Sequence, residues 1–315
     1  MHGKYSWHHE FGDQFKGRRV LVTGAGGFVG SHLCTALVSL GAEVYGVDLN
    51  NFFKNEVNGI RLLNVDLSIN QDVVQETVKI VNPDFTYHLA GLVDTRQEIG
   101  LVLPTLRHNL FGTVHLLIAL KGSQCRRVVV ISSSETPQYG NSPNSPYAAS
   151  KLAMAAYAEM FHTLFGLPVV IARPHLSYGP RQPQNKLIPY LICSMLKDTP
   201  PMLSSGNRIC DMIYINDLVR ALLLMTISEF AVGCSFDIGT GEGISVREIA
   251  ARISVLMKTP CHPVFGTVVD RIGEFSQVAN TKMIHSSLGW KPYWTMDEGL
   301  IETIEWYKDN AGVEV

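Results

Sequence analysis

The chain has 315 residues, 46% of them apolar and 17% charged, with a formal net charge of −2 at pH 7. That is apolar material enough for a sizeable core and more length than one average domain needs, and the near-neutral balance argues against a nucleic-acid surface. The six cysteines (Cys34, Cys125, Cys193, Cys210, Cys234 and Cys261) include no C-x-x-C pair, which suits free thiols in a reducing, cytoplasmic setting and implies neither disulfides nor a metal site.

In chain order, residues 1–16 read as a loose polar arm: Met1 to Phe15 carries His2, His8 and His9 and lacks the apolar run of a signal peptide or membrane anchor. Arg19 to Thr23 reads as a buried strand, Gly24-Ala25-Gly26-Gly27-Phe28-Val29-Gly30 as a turn, and Ser31 to Leu40 as a helix. Glycines there let a backbone approach a pyrophosphate, and the helix N-terminus offers the same anion unpaired N–H groups and a positive dipole end. The next strand, Glu43 to Val47, ends on Asp48, where a carboxylate can accept from adenosine ribose hydroxyls and repel a 2′-phosphate. NAD is therefore expected rather than NADP. Further strands are expected at Ile60 to Val65, Phe85 to His88, Arg127 to Ile131 and Val169 to Ala172, with helices between most of them. Strands alternating with helices predict an α/β fold with a parallel, doubly wound sheet. Past Pro174 the prolines crowd together and the alternation is lost. The expected division is a dinucleotide-binding domain over 17–174 and a smaller, mainly substrate-binding part over 175–315, with segments crossing back to the first domain and the smaller part capping the strand ends.

Tyr147 and Lys151 stand four residues apart in Ser145-Pro146-Tyr147-Ala148-Ala149-Ser150-Lys151 and so share one helix face. Solvated helices produce this pair readily, but behind a dinucleotide loop it reads as a proton-transfer device: a free phenol has a pKa near 10, and a neighbouring cation favours the phenolate. Upstream, Ile131-Ser132-Ser133-Ser134 places hydroxyls at the end of the fifth strand.

These motifs, from about Gly17 to Lys308, resemble the extended short-chain dehydrogenase/reductase family, the nucleotide-sugar epimerases and dehydratases. The series runs Thr23-Gly24-x-x-Gly27-x-x-Gly30, Asp66-Leu67, His88-Leu89-Ala90-Gly91, Asn109-x-x-Gly112-Thr113, the serine run, Tyr147-x-x-x-Lys151 and Arg173-Pro174-x-x-x-Tyr178-Gly179-Pro180. Asp211 to Asp217, Arg271-x-Gly273-Glu274 and Leu288-Gly289-Trp290-Lys291-Pro292 complete it. The resemblance implies a Rossmann domain binding NAD through Gly24, Gly27, Phe28, Val29, Gly30, Asp48, Asp66, Leu67, Leu89, Ala90, Gly91, Asn109, Tyr147, Lys151 and Pro174. It implies catalysis by Tyr147 as base, by Lys151 as the group that lowers the tyrosine pKa and bonds the nicotinamide ribose, and by one serine on the reacting oxygen. Ser134 is the expected serine, with Ser133 the alternative if the loop through Pro137 shifts the register.

The resemblance also implies hydride transfer at a sugar carbinol. Sugar dehydratases carry Thr-Asp-Glu after the fifth strand, and this chain has Ser-Ser-Glu or Ser-Glu-Thr, so a nucleotide-sugar 4-epimerase ranks ahead of a 4-keto-sugar reductase or a dehydratase. Ser133 and Glu135 are expected to face the substrate. The Asn of Arg-x-x-Asn-x-Tyr-Gly-Pro is replaced by Leu176, and the Arg of Arg-Asp-Phe by Cys210, so Arg271, with Lys186 or Arg208 as the replacement charge, is expected to hold the diphosphate, and Leu187 to line the same stretch. The short loop between Tyr139 and Tyr147 implies a more open site, which keeps a non-sugar secondary-alcohol dehydrogenase as runner-up and a non-catalytic NAD-binding protein behind it. Helices near 103–121 and 147–165 pair across a two-fold axis in many relatives, so a homodimer is expected.

Overall fold

The computed structural model describes residues 5–49, 59–136, 142–270 and 276–310. Its chain divides into two compact units, one of residues 1–173 with 219–236, the other of 174–218 with 237–315.

The first unit opens on a short helix, α1 (Trp7–Phe11), closed by Gly12 at a positive φ. The expected loose arm is instead tied down from Tyr5 onward. Phe11 and Phe15 are buried, the Phe15 ring lies 5.8 Å from that of Phe85, and both Glu10 carboxylate oxygens accept from Arg220 Nε at 2.7 and 2.8 Å. Burying two phenylalanines, worth about 1.5–3 kcal/mol each, offsets part of the entropy of ordering the segment.

There follow β1 (Arg19–Thr23), α2 (Phe28–Ser39), β2 (Glu43–Asp48), β3 (Ile60–Asn64), α3 (Gln71–Val81), β4 (Phe85–His88), α4 (Val102–Thr105), α5 (Gly112–Lys121), β5 (Arg127–Ile131), α6 (Pro146–Phe165) and β6 (Val169–Pro174). Helix α2 starts at Phe28, three residues before the expected Ser31, because Gly27 in extended backbone serves as its N-cap. The helix expected over 103–121 is not continuous: a π turn at Leu106–Phe111 separates α4 from α5. Along it Leu117 lies in the core, Ile118 is exposed, and Leu106, Leu110 and Val114 are half-buried. Helix α6 has the expected start signals, a Ser145 hydroxyl accepting from the Ala148 N–H at 3.1 Å and proline in the first turn, and ends on Gly166 in left-handed backbone.

In the second unit are β7 (Leu176–Tyr178), α7 (Leu187–Leu196), β8 (Met202–Leu203), β9 (Ile209–Cys210) and β10 (Met212–Tyr214). Helix α8 (Ile215–Ile227) and β11 (Ser235–Ile238) then span the junctions between the units. The second unit closes with β12 (Ile244–Ser245), α9 (Val246–Met257), β13 (Val264–Phe265), α10 (Lys282–Leu288) and α11 (Met296–Asp309). Its late sequence signatures are structural anchors. The buried Asp211 carboxylate accepts from the N–H groups of Thr240, Gly241 and Ala279 and from the Thr240 hydroxyl, and Asp217 accepts from the N–H groups of Tyr293 and Trp294. A buried carboxylate needs such donors to offset desolvation.

The central sheet has seven strands in the order β11-β6-β5-β4-β1-β2-β3, with parallel pairing from β6 through β3. Val20, Leu21 and Val22 of β1 and Val128, Val129 and Val130 of β5 are buried in succession, as covering helices on both faces require. The chain leaves β1 for β2 and β3 on one side and returns to β4 on the other. A crevice for ligand forms at such a reversal, beyond the carboxyl ends of β1 and β4.

Candidate active site

The loop after β1 fits a dinucleotide because no side chain could share its space. Gly24 has φ +69°, and a Cβ there would lie 2.7 Å from the Ala90 nitrogen; one on Gly30 would lie 2.1 Å from the Gly24 carbonyl oxygen. The β1 and β4 exits are thereby pressed together, with the α2 N-terminus, where Phe28 and Val29 form the first turn, aimed at the crevice. Asp48, at the end of β2, accepts from the Gly26 N–H at 2.7 Å and so sits against the loop, where the ribose expectation requires it. Asp66 follows β3 and precedes buried Leu67. Burial would raise its pKa, but the Ser68 hydroxyl and N–H, with His108 and Arg107 nearby, hold it below the usual carboxylate range.

Beneath the loop runs a buried chain that the sequence reading did not assign. Thr113 Oγ1 donates to the Asn109 carbonyl and therefore accepts from His88 Nε2, 2.8 Å away. His88 Nδ1 is left to accept from Thr23 Oγ1, also at 2.8 Å, and Thr23 Oγ1 accepts from the Ala90 N–H at 3.3 Å. Burial, reinforced by Lys151, pushes the His88 pKa down to about 3, so the ring is neutral.

Asn109, fully buried in the π turn, accepts from the Leu92 N–H at 2.6 Å and donates to Ser150 Oγ at 2.8 Å, and Ser150 donates to the Tyr147 carbonyl at 2.8 Å. The loop after Leu89, Ala90 and Gly91 is thus joined to the helix that carries Tyr147 and Lys151. Gly91 is required at this junction, since a Cβ would meet Asn109 Oδ1 at 2.9 Å and Lys151 Nζ at 3.5 Å.

Lys151 is 2% exposed and donates to the Ile131 carbonyl at 2.9 Å, and burial draws its pKa down to about 8. Its Nζ lies 6.0 Å from the Tyr147 ring centroid. Tyr147 departs from expectation: burial pushes its pKa up to about 12, the Ser133 hydrogen bond works in the opposite sense, and the Glu135 charge raises it further. Burial is the largest of these causes, so the phenol without cofactor holds its proton at neutral pH. Ser133, rather than the expected Ser134, hydrogen-bonds Tyr147. The register shifts because the turn over residues 133–136 closes on Ser133, whose carbonyl accepts from the Thr136 N–H and hydroxyl, leaving Ser134 half-buried in the turn.

Ser133, Glu135, Tyr147, Lys151, Asn109 and Gly91 are therefore gathered in the first unit. Pro174 closes β6. Lys186 and Leu187 belong to the second unit as N-cap and first residue of α7, and Arg208 leads into β9 there. Arg271 lies outside the described residues. Thr113 and Ser150 could have been suspected from sequence, since Thr113 stands four residues from Asn109 and Ser150 three from Tyr147, each with a hydroxyl at helical spacing from a motif residue; Thr136 carried no such signal.

A glycine-cradled dinucleotide loop beside a Ser–Tyr–Lys cluster defines the class, a nicotinamide-dependent enzyme of hydride chemistry. Comparison with known proteins carries this further. A probable dTDP-glucose 4,6-dehydratase from Sinorhizobium fredii is 30% identical over 93% of both chains, and a UDP-glucose 4-epimerase from Mycolicibacterium smegmatis is 30% identical over 93% of this chain and 99% of its own. The structure of UDP-glucuronic acid 4-epimerase from Bacillus cereus, in complex with UDP-glucuronic acid and NAD, superposes with a TM-score of 0.82 at 26% identity, covering 92% of this chain and 99% of that one. Residues 20–239 match the NAD dependent epimerase/dehydratase family, and the chain belongs to it as an NAD-dependent enzyme of the extended short-chain dehydrogenase/reductase type.

Proposed function

We propose that the protein is a nucleotide-sugar 4-epimerase. The observation that carries this reading is the pairing of Ser133 with Tyr147. It sets the frame after β5 as Ser133-Ser134-Glu135, so that the position of the dehydratase aspartate holds Ser134, a hydroxyl that cannot serve as the carboxylic acid in loss of water across C5 and C6.

NAD, when bound, supplies a hydride acceptor beside the sugar carbon and a positive ring that favours the phenolate. The loop glycines would hold its pyrophosphate and Asp48 its adenosine ribose, with Asp66 a further cofactor contact and Asp48 selecting NAD over NADP. Tyr147 takes the C4 hydroxyl proton and returns it after the 4-keto sugar has turned over. Ser133 hydrogen-bonds the reacting oxygen, whose charge changes during transfer. Lys151 places a cation beside both groups. Arg271, with Lys186 or Arg208, is assigned to the nucleotide diphosphate, and Leu187 to the lining of the same stretch.

Exposed Leu103, Phe111 and Ile118, with Leu152, Tyr157 and Leu164 on α6, support a homodimer through these helices. No helix among the described residues is long and apolar enough to cross a membrane, and with cysteines unpaired among the described residues the reading places the enzyme in the cytoplasm.

The test is incubation with NAD and UDP-glucose, UDP-glucuronic acid or dTDP-glucose. The expected product is the C4 epimer, with no net change in cofactor redox state, and Tyr147→Phe abolishes it. A 4-keto-6-deoxy product would instead establish the dehydratase reading, with Glu135 as the candidate acid–base group.

A further inference from the structure

We propose that Thr136 is a positioning residue that selects Ser133, and not its neighbours in the serine run, as the hydroxyl acting with Tyr147. This rests on the hydride-transfer reading above.

A serine hydroxyl has one proton and two lone pairs. One lone pair of Ser133 Oγ is taken by the Glu135 N–H at 3.1 Å, so the proton is left to point toward Tyr147 and a reacting oxygen. That direction depends on the Ser133 peptide being held. Its carbonyl accepts twice from Thr136, from the hydroxyl at 2.7 Å and from the N–H at 3.2 Å, which fills both acceptor sites of that oxygen. Thr136 is 5% exposed and Ser133 is 8% exposed, so neither bond is replaced cheaply by solvent. Ser132, the preceding serine, is turned away and lies 3.5 Å from the Lys151 carbonyl.

The charged groups facing the pair are Lys151, from the same helix as Tyr147, and Glu135, from the same turn as Thr136. Thr136 adds no charge of its own. Its effect passes through the position of one hydroxyl, where a misplacement of about 1 Å can cost roughly 100-fold in rate.

Thr136→Val removes the hydroxyl while keeping the volume, and Thr136→Ser keeps the hydroxyl. Crystal structures of both variants with NAD are expected to show Ser133 Oγ withdrawn from Tyr147 in T136V and retained in T136S. On whichever of UDP-glucose, UDP-glucuronic acid and dTDP-glucose the wild type turns over, T136V is expected to lose roughly 10- to 100-fold in kcat with KM within about threefold. T136S restores kcat to within about threefold, and T136V added to Ser133→Ala costs nothing further. An unmoved Ser133 in T136V, or an equal loss in the Ser133→Ala background, overturns the proposal. Failure of the epimerase reading would show separately, as the wrong product or as turnover surviving Tyr147→Phe, and the crystal structures would still report where Ser133 sits.

Discussion

Gly30→Ala is the sharpest perturbation of the cofactor loop, because the obstacle it meets is backbone on every side. The new Cβ would lie 2.1 Å from the Gly24 carbonyl oxygen and 2.9 Å from Ala25 Cα. An ordinary carbon–oxygen contact is about 3.3 Å, so either the first turn of α2 or the Gly24 peptide must retreat by about 1.2 Å. No flexible side chain can absorb this, which puts the cost near the upper end of the overpacking range, about 3 kcal/mol. For a unit of this size the melting temperature should fall by roughly 6–12 °C. The N–H groups that would face the pyrophosphate move with the loop, and NAD affinity should weaken by roughly 100-fold, about 2.8 kcal/mol. Gly27→Ala is the control: its Cβ would approach the same Gly24 oxygen only to 3.2 Å, so its stability should stay within about 1 kcal/mol of wild type. Differential scanning calorimetry and isothermal titration with NAD read the two quantities. A G30A protein that melts within about 2 °C of wild type, or a G27A protein as destabilised as G30A, would refute the packing argument.

Three further outcomes follow from buried groups. His88 has a folded pKa near 3, below its unfolded value of about 6.5, so its contribution to stability is full above about pH 6.5 and is lost as pH falls toward 3, at up to about 1.4 kcal/mol per pH unit; urea unfolding from pH 7 to 4 should show that slope reduced in His88→Asn. Lys151, whose folded pKa of about 8 lies below its unfolded value, costs stability wherever the unfolded chain holds the proton more tightly. Lys151→Met should therefore abolish turnover yet unfold at higher urea at pH 7, by roughly 1–3 kcal/mol, and a destabilised variant would contradict this. Phe15→Ala should cost about 3–5 kcal/mol in chemical denaturation, because Phe15 has no exposed surface; a loss under about 1 kcal/mol would mean the N-terminal segment docks without stabilising the fold.

What was legible in the chain and what was not divides along physical lines. The strands β1, β5 and β6 were readable because residues buried on both faces form apolar runs, β2, β3 and β4 were readable from short strand-forming runs between helical segments, and the loop glycines were readable because their need is steric. Two features escaped because they depend on contacts that no sequence pattern announces. The hydrophobic positions of residues 1–16 are too few to form a periodic pattern, and only the Phe85 ring and Arg220, more than sixty residues away, show what holds them. The serine run offered three equivalent hydroxyls, and the choice among them rests on a turn closed by Thr136, which no spacing rule marks. The surroundings of the phenol were hidden for a related reason: the Tyr147–Lys151 spacing announces a nearby cation but says nothing of how completely both groups are buried.

The π turn at Leu106–Phe111 makes this stretch tolerant of length change in one direction. A π turn accommodates one residue more than an α-helical turn, and each residue in a helix turns its neighbours by about 100°. Deleting one residue between 106 and 111 other than Asn109 would let the two flanking helices merge into one continuous rod. Thr105 on one side and Thr113, Leu116 and Leu117 on the other are buried, and in a merged rod they would keep facing inward, whereas one added residue would turn the two sets apart. Among homologous chains, this segment should therefore show one-residue gaps but no insertions.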